Sequence, residues 1–254
     1  MTTGHVITDV RYNPDNARTR WLGYFDFLGT EKLIETGEHL KIFSIYAKAI
    51  DEVKRRNITL QCVDHAWFSD TFVFYTDDRS LSSWSELDHI CRWFFYFLID
   101  VGIPARGAIS LGEFYVDKEE YVFFGKALTE AHRYGEAQNW LGFVLCPSAE
   151  NNLRRSGQFT GKYCNYAYTD VPYVETEENL VKRLPACIVG NWFDIQEENP
   201  TLKNLFTMKS NIAGKAIVAK YDNSIEFLQR TLEERLYMKQ TDALQTGFLR
   251  KQQS

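Results

Sequence analysis

Apolar and aromatic positions in this chain fall into blocks of two kinds, and the order of the blocks predicts the fold. Residues 21–28, Trp-Leu-Gly-Tyr-Phe-Asp-Phe-Leu, are a near-continuous apolar run that predicts a buried strand, interrupted near its end by a single acid, Asp26. Gly29 and Thr30 follow, so this strand ends in a carboxylate at a strand-to-helix turn whose backbone amides suit an anion. From 31 to 56 apolar residues recur mainly at three- and four-residue steps, predicting a helix with a break near Gly37. Residues 59–66 and 68–76 predict a hairpin with Asp70 on its second arm. Serines open a helix at about Ser83, and Gly102 and Pro104 close it after Val101.

Two further strands, 105–111 and 113–116, are expected around Gly112. A helix over 126–138, a short strand over 142–146 and a short helix over 147–155 follow. Beyond them, 163–174 alternates, 184–189 is apolar, 215–221 predicts a strand carrying Lys215 and Lys220, and a helix is expected from Asn223 or Ser224 to about Lys239. The polar tail from Gln240 is expected to be loosely held. The division is an N-terminal arm over 1–20, a core over 20–150, and an extension over 151–254 that completes the domain and ends in a helix.

Strand, helix, strand, strand, helix, strand is the split pattern of a ferredoxin-like α+β fold of palm type, an antiparallel sheet with helices on one face. In that order the first and third strands are central neighbours, which brings Asp26 and Asp70 together. Two adjacent carboxylates at strand ends are hard oxygen ligands for divalent cations, and a pair of metals clamps an in-line displacement at phosphorus.

Composition narrows the partners. At 44% apolar the 254 residues can bury a real core, and the net charge of -5 leaves no basic stripe for a nucleic-acid backbone. Five cysteines at positions 62, 91, 146, 164 and 187 never adopt metal-ligand spacing and suit reduced thiols. The five histidines share no ligand spacing either. No run is long enough to span a bilayer and the N-terminus is unlike a signal peptide, so a cytoplasmic protein without membrane partners is expected.

Four segments now fall in register. Phe25-Asp26-Phe27-Leu28-Gly29-Thr30, Ser69-Asp70 after a hairpin, Arg106-Gly107-Ala108-Ile109-Ser110-Leu111-Gly112, and Phe124-Gly125-Lys126-Ala127-Leu128-Thr129-Glu130-Ala131-His132-Arg133 follow an order and spacing that resembles the class III nucleotide cyclase catalytic domain over about residues 20–150. The resemblance implies two divalent cations, Mg2+ or Mn2+, held by Asp26, Asp70 and the backbone at Phe27. Attack of a nucleoside triphosphate's 3'-hydroxyl on its own α-phosphate would give a 3',5'-cyclic monophosphate and pyrophosphate. It also implies a homodimer with active sites at the interface, Asp26 and Asp70 from one subunit and Arg133 from the other. Phe27, Leu28, Gly29 and Thr30 would receive phosphates, with Arg106 and either Lys215 or Lys220 as further candidates.

The departures from the family pattern carry information. Thr129 stands where the family has an asparagine for the ribose, so its reach is shorter. Ala66 and Val122 stand where purine cyclases read the base, and neither side chain can hydrogen-bond. Phe68 and Phe124 add aromatic bulk near that position, suited to stacking on a pyrimidine. In these respects the chain is similar to the stand-alone bacterial pyrimidine cyclases of Pycsar anti-phage defence, which make cyclic UMP or cyclic CMP for a separate effector. The alternatives are a purine cyclase and a catalytically degenerate nucleotide-binding dimer. A haloacid-dehalogenase-type phosphatase is disfavoured, because Leu28 occupies the place of its second acid. Arg133 pairing with Glu130 or Glu136 on its own helix, and Arg106 buttressing the sheet, are the structural readings to be weighed against the functional ones.

Overall fold

The computed structural model describes residues 16–29, 37, 39–57, 62–158, 166–174, 179–187, 199–212 and 214–251. Its strands are β1 (Ala17–Phe27), β2 (Val63–Phe68), β3 (Thr71–Thr76), β4 (Ala105–Asp117), β5 (Val122–Phe124), β6 (Gly142–Leu145), β7 (Ala167–Asp170) and β8 (Arg183–Cys187). Its helices are α1 (His39–Asn57), α2 (Leu81–Asp100), α3 (Lys126–Ala137), α4 (Pro147–Arg155), α5 (Pro200–Ser210) and α6 (Lys215–Lys251). The strand order is β2-β3-β1-β4-β6-β8-β7, with β5 paired to β4.

The first four strands of that order are antiparallel, which is the expected ferredoxin-like arrangement. β6 then joins parallel to β4, and the extension's β8 and β7 continue the sheet antiparallel. The extension is therefore part of the same sheet.

Alternation along β1 decides which helix covers which face. Phe25 packs with Phe74 of β3, Phe94 of α2 and Phe143 of β6 at centroid distances of 6.3, 5.4 and 5.5 Å. A Cβ on Gly23 would come within 2.5 Å of Cys91 on α2, so glycine lets that helix close on the sheet. On the other face the Tyr24 ring meets His132 of α3 edge-on at 5.5 Å. Burying a ring the size of Phe25 contributes about 2–3 kcal/mol, and this aromatic layer dominates the core.

The serines do open α2, with Ser80 Oγ accepting from Ser83 N at 3.2 Å. Beyond Val101 the chain reverses at Gly102, with a φ of 79°, and Ile103 N donates to Leu98 O at 2.7 Å.

Six expectations change, the first two being that helices cover both faces of the sheet, α2 against Phe25 and α3 against Tyr24, instead of one face, and that α6 runs on to Lys251 instead of ending near Lys239. β4 runs unbroken through Gly112, which serves close approach rather than a turn: a Cβ there would meet Ala127 N of α3 at 3.2 Å. Asp70 is in the two-residue turn Ser69–Asp70, because Phe68 pairs with Thr71; it is not on the second arm of the hairpin. Residues 215–221 are the first turns of α6 and not a strand, because Tyr221, Ser224, Ile225 and Leu228 recur on one buried helical face. β1 begins at Ala17, inside the stretch expected to be an irregular arm. The predicted helix from Glu31 is described from His39 onward; Thr30 and the rest of 30–36 lie outside the described residues, as do residues 1–15 of the arm. α5, capped by Asn199 Oδ1 accepting from Leu202 N at 3.1 Å, and the short β5 were not anticipated.

Candidate active site at the end of the central strands

Strand register places the first acid. Asp26 sits opposite Thr71 on one neighbour and opposite Arg106 on the other, and its residue is 8% exposed. The turn holding Asp70 is tied to the same strand end, since Phe27 N donates to Asp70 O at 3.0 Å. Leu28 N donates to Pro104 O at 2.8 Å, so the main chain stays pinned until Gly29, where φ is +80°. Both expected acids and the glycine turn thus meet at the end of β1.

Arg106 buttresses Asp26. Its Nε donates to Asp26 Oδ2 at 3.0 Å and its Nη2 to Glu136 Oε2 at 2.5 Å. Nη1 donates to the main-chain carbonyls of Glu136 and Gln138. This guanidinium is fixed from three directions and spends most of its donors on the protein. Tyr24 Oη adds a donor to Glu136 Oε1 at 2.9 Å.

Glu136 is the side chain that sequence reasoning missed as a site residue. An acid near the end of an amphipathic helix reads as solvated, and only the approach of α3 to β4 makes it the third carboxylate of the cluster. Burial pushes the Asp26 carboxyl up to about 7; the Glu136 charge adds to this, Arg106 opposes it, and Asp70 raises it slightly further. A buried carboxylate held so far above its ordinary value is a site that a cation would relieve. Two carboxylates and the Phe27 carbonyl are hard oxygen donors of the kind Mg2+ and Mn2+ prefer, so the residues fit the implied cations. Among the described residues no cluster of three His, Cys, Asp or Glu side chains is arranged to hold a metal by itself.

The remaining candidates divide. Lys220 of α6 is half-buried beside this cluster: burial lowers its pKa, Arg106 lowers it further, and Asp26 and Glu136 oppose that. Lys215 is exposed. Arg133 is exposed on α3 and pairs with neither Glu130 nor Glu136; its Nη2 donates to Asn179 O at 3.2 Å. Thr129 is exposed and returns its hydroxyl to Gly125 O at 3.1 Å. Ala66 is buried, while Phe68, Val122 and Phe124 are exposed at 41, 40 and 50%. Neither Arg133 nor Thr129 hydrogen-bonds the carboxylate cluster of its own chain.

The catalytic core of a rhodopsin-guanylyl cyclase with converted specificity, solved with ATPαS, superposes with a TM-score of 0.50 at 8% identity, covering 68% of this chain and 97% of that one. The fold is that of class III nucleotide cyclase domains. The adenylyl cyclase CyaB from P. aeruginosa follows at a TM-score of 0.49 and 10% identity, covering 68% of this chain and 95% of that one. For the guanylyl cyclase Cya2 the values are 0.48 and 13%, over 70% and 96% of the two chains. No protein-family model and no curated protein matches the sequence. No helix among the described residues is long and apolar enough to cross a membrane.

In the cyclase fold of this chain, strand-end position and not sequence spacing decides which residues can act together. Asp26, Asp70 and Gly29 share one strand end, Glu136 and Lys220 approach it from α3 and α6, and Thr129 and Arg133 face outward from the same α3.

Proposed function

We propose that the protein is a nucleotide cyclase acting on a pyrimidine nucleoside triphosphate, UTP or CTP, and releasing pyrophosphate. The observation that supports this most is the convergence of Asp26 and Asp70 at the end of β1, beside the Leu28–Gly29 turn. Two Mg2+ or Mn2+ ions, held by the Asp26 and Asp70 carboxylates and the Phe27 carbonyl, would acidify the ribose 3'-hydroxyl and neutralise the triphosphate.

The chain's own residues supply the rest. Arg106 fixes the orientation of Asp26, and the Gly29 amide and Lys220 would face the phosphates. The bond from the 3'-oxygen to the α-phosphorus forms as the bond to pyrophosphate breaks, and the 3'-proton leaves to solvent. Arg133 of a partner subunit would meet the charge that develops on the α-phosphate, which its exposed place on α3 permits. Thr129 of the same partner would orient the ribose. Ala66 and Val122 support a pyrimidine, because neither offers a hydrogen bond to a purine edge. The product would serve as a second messenger in antiviral defence, read by a separate effector.

A purine substrate is the second reading, favoured by the guanylyl cyclase core solved with ATPαS that shares the fold. Incubation with ATP, GTP, CTP and UTP separately, with Mn2+ or Mg2+, followed by mass spectrometry, separates the two. Cyclic UMP or cyclic CMP is expected; cyclic AMP or cyclic GMP alone would replace the pyrimidine assignment.

A further inference from the structure

The two acids at the end of β1 are supported very differently. Asp26 lies inside a strand that is paired on both sides, whereas Asp70 is the second residue of a two-residue loop closed by the pairing of Phe68 with Thr71. Phe68 and Ser69 are exposed, so burial does not fix that loop. Its sequence does not favour its conformation either. Ser69 has a φ of +55° while the φ of Asp70 is negative, and a left-handed residue at the first loop position is a place where hairpins favour glycine.

Hydrogen bonds hold the loop instead. On the β1 side Phe27 N donates to Asp70 O at 3.0 Å. From within the hairpin Trp67 Nε1 donates to Ser69 O at 2.7 Å. The Ser69 carbonyl and the Asp70 amide belong to one planar peptide unit, so the direction of that carbonyl sets the plane from which the Asp70 side chain departs. The donor is itself steadied. The Trp67 ring is part-buried and packs against the core, and its N–H can only donate.

We propose that Trp67 is a positioning residue, whose indole N–H holds the Ser69–Asp70 peptide so that the Asp70 carboxylate faces the cations it shares with Asp26; this rests on the metal-binding role given to Asp70 in the cyclase reading above. Without the indole, Ser69 is free to relax to an ordinary φ and carries Asp70 away with it. A glycine at 69 adopts the positive φ at no steric cost and so keeps the turn without the indole. Trp67 and Ser69 are therefore coupled.

The test compares the full-length wild type with Trp67→Phe, which keeps a ring and deletes the donor, and with Trp67→Phe combined with Ser69→Gly. Two quantities are read: Mn2+ affinity, from the electron paramagnetic resonance signal of the free ion, and amide exchange in the metal-free protein by NMR. Trp67→Phe should bind Mn2+ about fivefold more weakly and exchange the Phe27 amide about fivefold faster, the worth of one ordinary hydrogen bond. The Leu28 amide, which donates to Pro104 O instead, should exchange as in wild type. Adding Ser69→Gly should return both quantities to within about twofold of wild type, which a general loss of packing around the ring would not allow. Unchanged Mn2+ affinity in Trp67→Phe overturns the assignment, as does a loss that Ser69→Gly fails to recover, or an Asp70→Asn protein that binds Mn2+ as tightly as wild type. The cyclase reading is scored separately. The coupled pattern without cyclic product from any triphosphate would keep the role of Trp67 and remove the reaction, and cyclic product without the pattern would do the reverse.

Discussion

Arg106 Nε donates to Asp26 Oδ2 across 3.0 Å, from the residue paired directly with Asp26 on the adjacent strand. The same guanidinium holds Glu136 on α3, so one cation ties a buried strand-end acid to a half-buried helix-end acid. Both the Arg106 and the Asp26 side chains are 11% exposed, which makes the pair sensitive to the loss of either partner. Arg106→Met removes the charge and leaves two acids facing each other, so unfolding in urea at pH 7.5 should show a loss of about 3–5 kcal/mol. At pH 5, where Asp26 carries a proton, the loss should be smaller. Equal losses at both pH values would show that the ion pair is not the origin.

The raised Asp26 pKa fixes the sign of a pH effect. Below the ordinary carboxylate value of 3.8 Asp26 is protonated in both folded and unfolded chains and contributes nothing. Between that value and about 7 the folded chain holds a proton that the unfolded chain has released, so the contribution of Asp26 to stability falls as pH rises. Above about 7 its cost is constant. Melting temperatures of wild type and Asp26→Asn, measured from pH 4 to 8.5 without divalent cations, should diverge in favour of the variant up to about pH 7 and then run parallel. Binding of Mn2+ to wild type should release protons and tighten through the same range.

The proposed dimer, with Arg133 supplied by the partner subunit, predicts complementation between subunits. Asp70→Asn and Arg133→Ala homodimers should each lose about a thousandfold in turnover, within the range for losing a transition-state charge partner. Mixing and re-equilibrating the two should restore up to about one quarter of wild-type activity, through heterodimers with one intact site. Mixtures as inactive as their parents would place Arg133 outside the site.

Gly107 is held to glycine by its neighbours. A Cβ there would lie 2.3 Å from the Tyr24 carbonyl oxygen and 2.7 Å from a Phe25 ring carbon, both in the central strand pair. Gly107→Ala should therefore destabilise the protein by about 2–3 kcal/mol and broaden into lost activity, because β1 carries Asp26. Chemical denaturation of the variant beside wild type measures this directly.

Much of the frame was legible in the sequence. The apolar run into Asp26, the capping serines and closing Gly102 of α2, and the order of strands and helices are local signals that tertiary structure did not override. The juxtaposition of Asp26 with Asp70 followed from that order alone. Other features depend on partners that are distant in sequence. Gly112 resembles a turn residue until α3 packs on it, and Ile217-Val218 resembles a strand because β-branched residues favour extended backbone, although α6 carries them as a helix. Glu136 is an ordinary solvated acid until β4 brings Arg106 to it. Lys220 was one of two candidate lysines, and only the helical geometry of 215–221 turns it toward the acids and leaves Lys215 in solvent.

In the proposed reaction Asp26 and Asp70 together support cyclisation of a nucleotide. The most direct measurement is quantitative mass spectrometry of wild type and Asp70→Asn side by side, each given UTP and CTP with Mn2+, counting cyclic nucleotide against pyrophosphate. Wild type should form 3',5'-cyclic pyrimidine monophosphate and pyrophosphate in equal amounts, and Asp70→Asn should form neither while melting at the wild-type temperature. Equal product from both proteins would show that turnover does not pass through the paired acids.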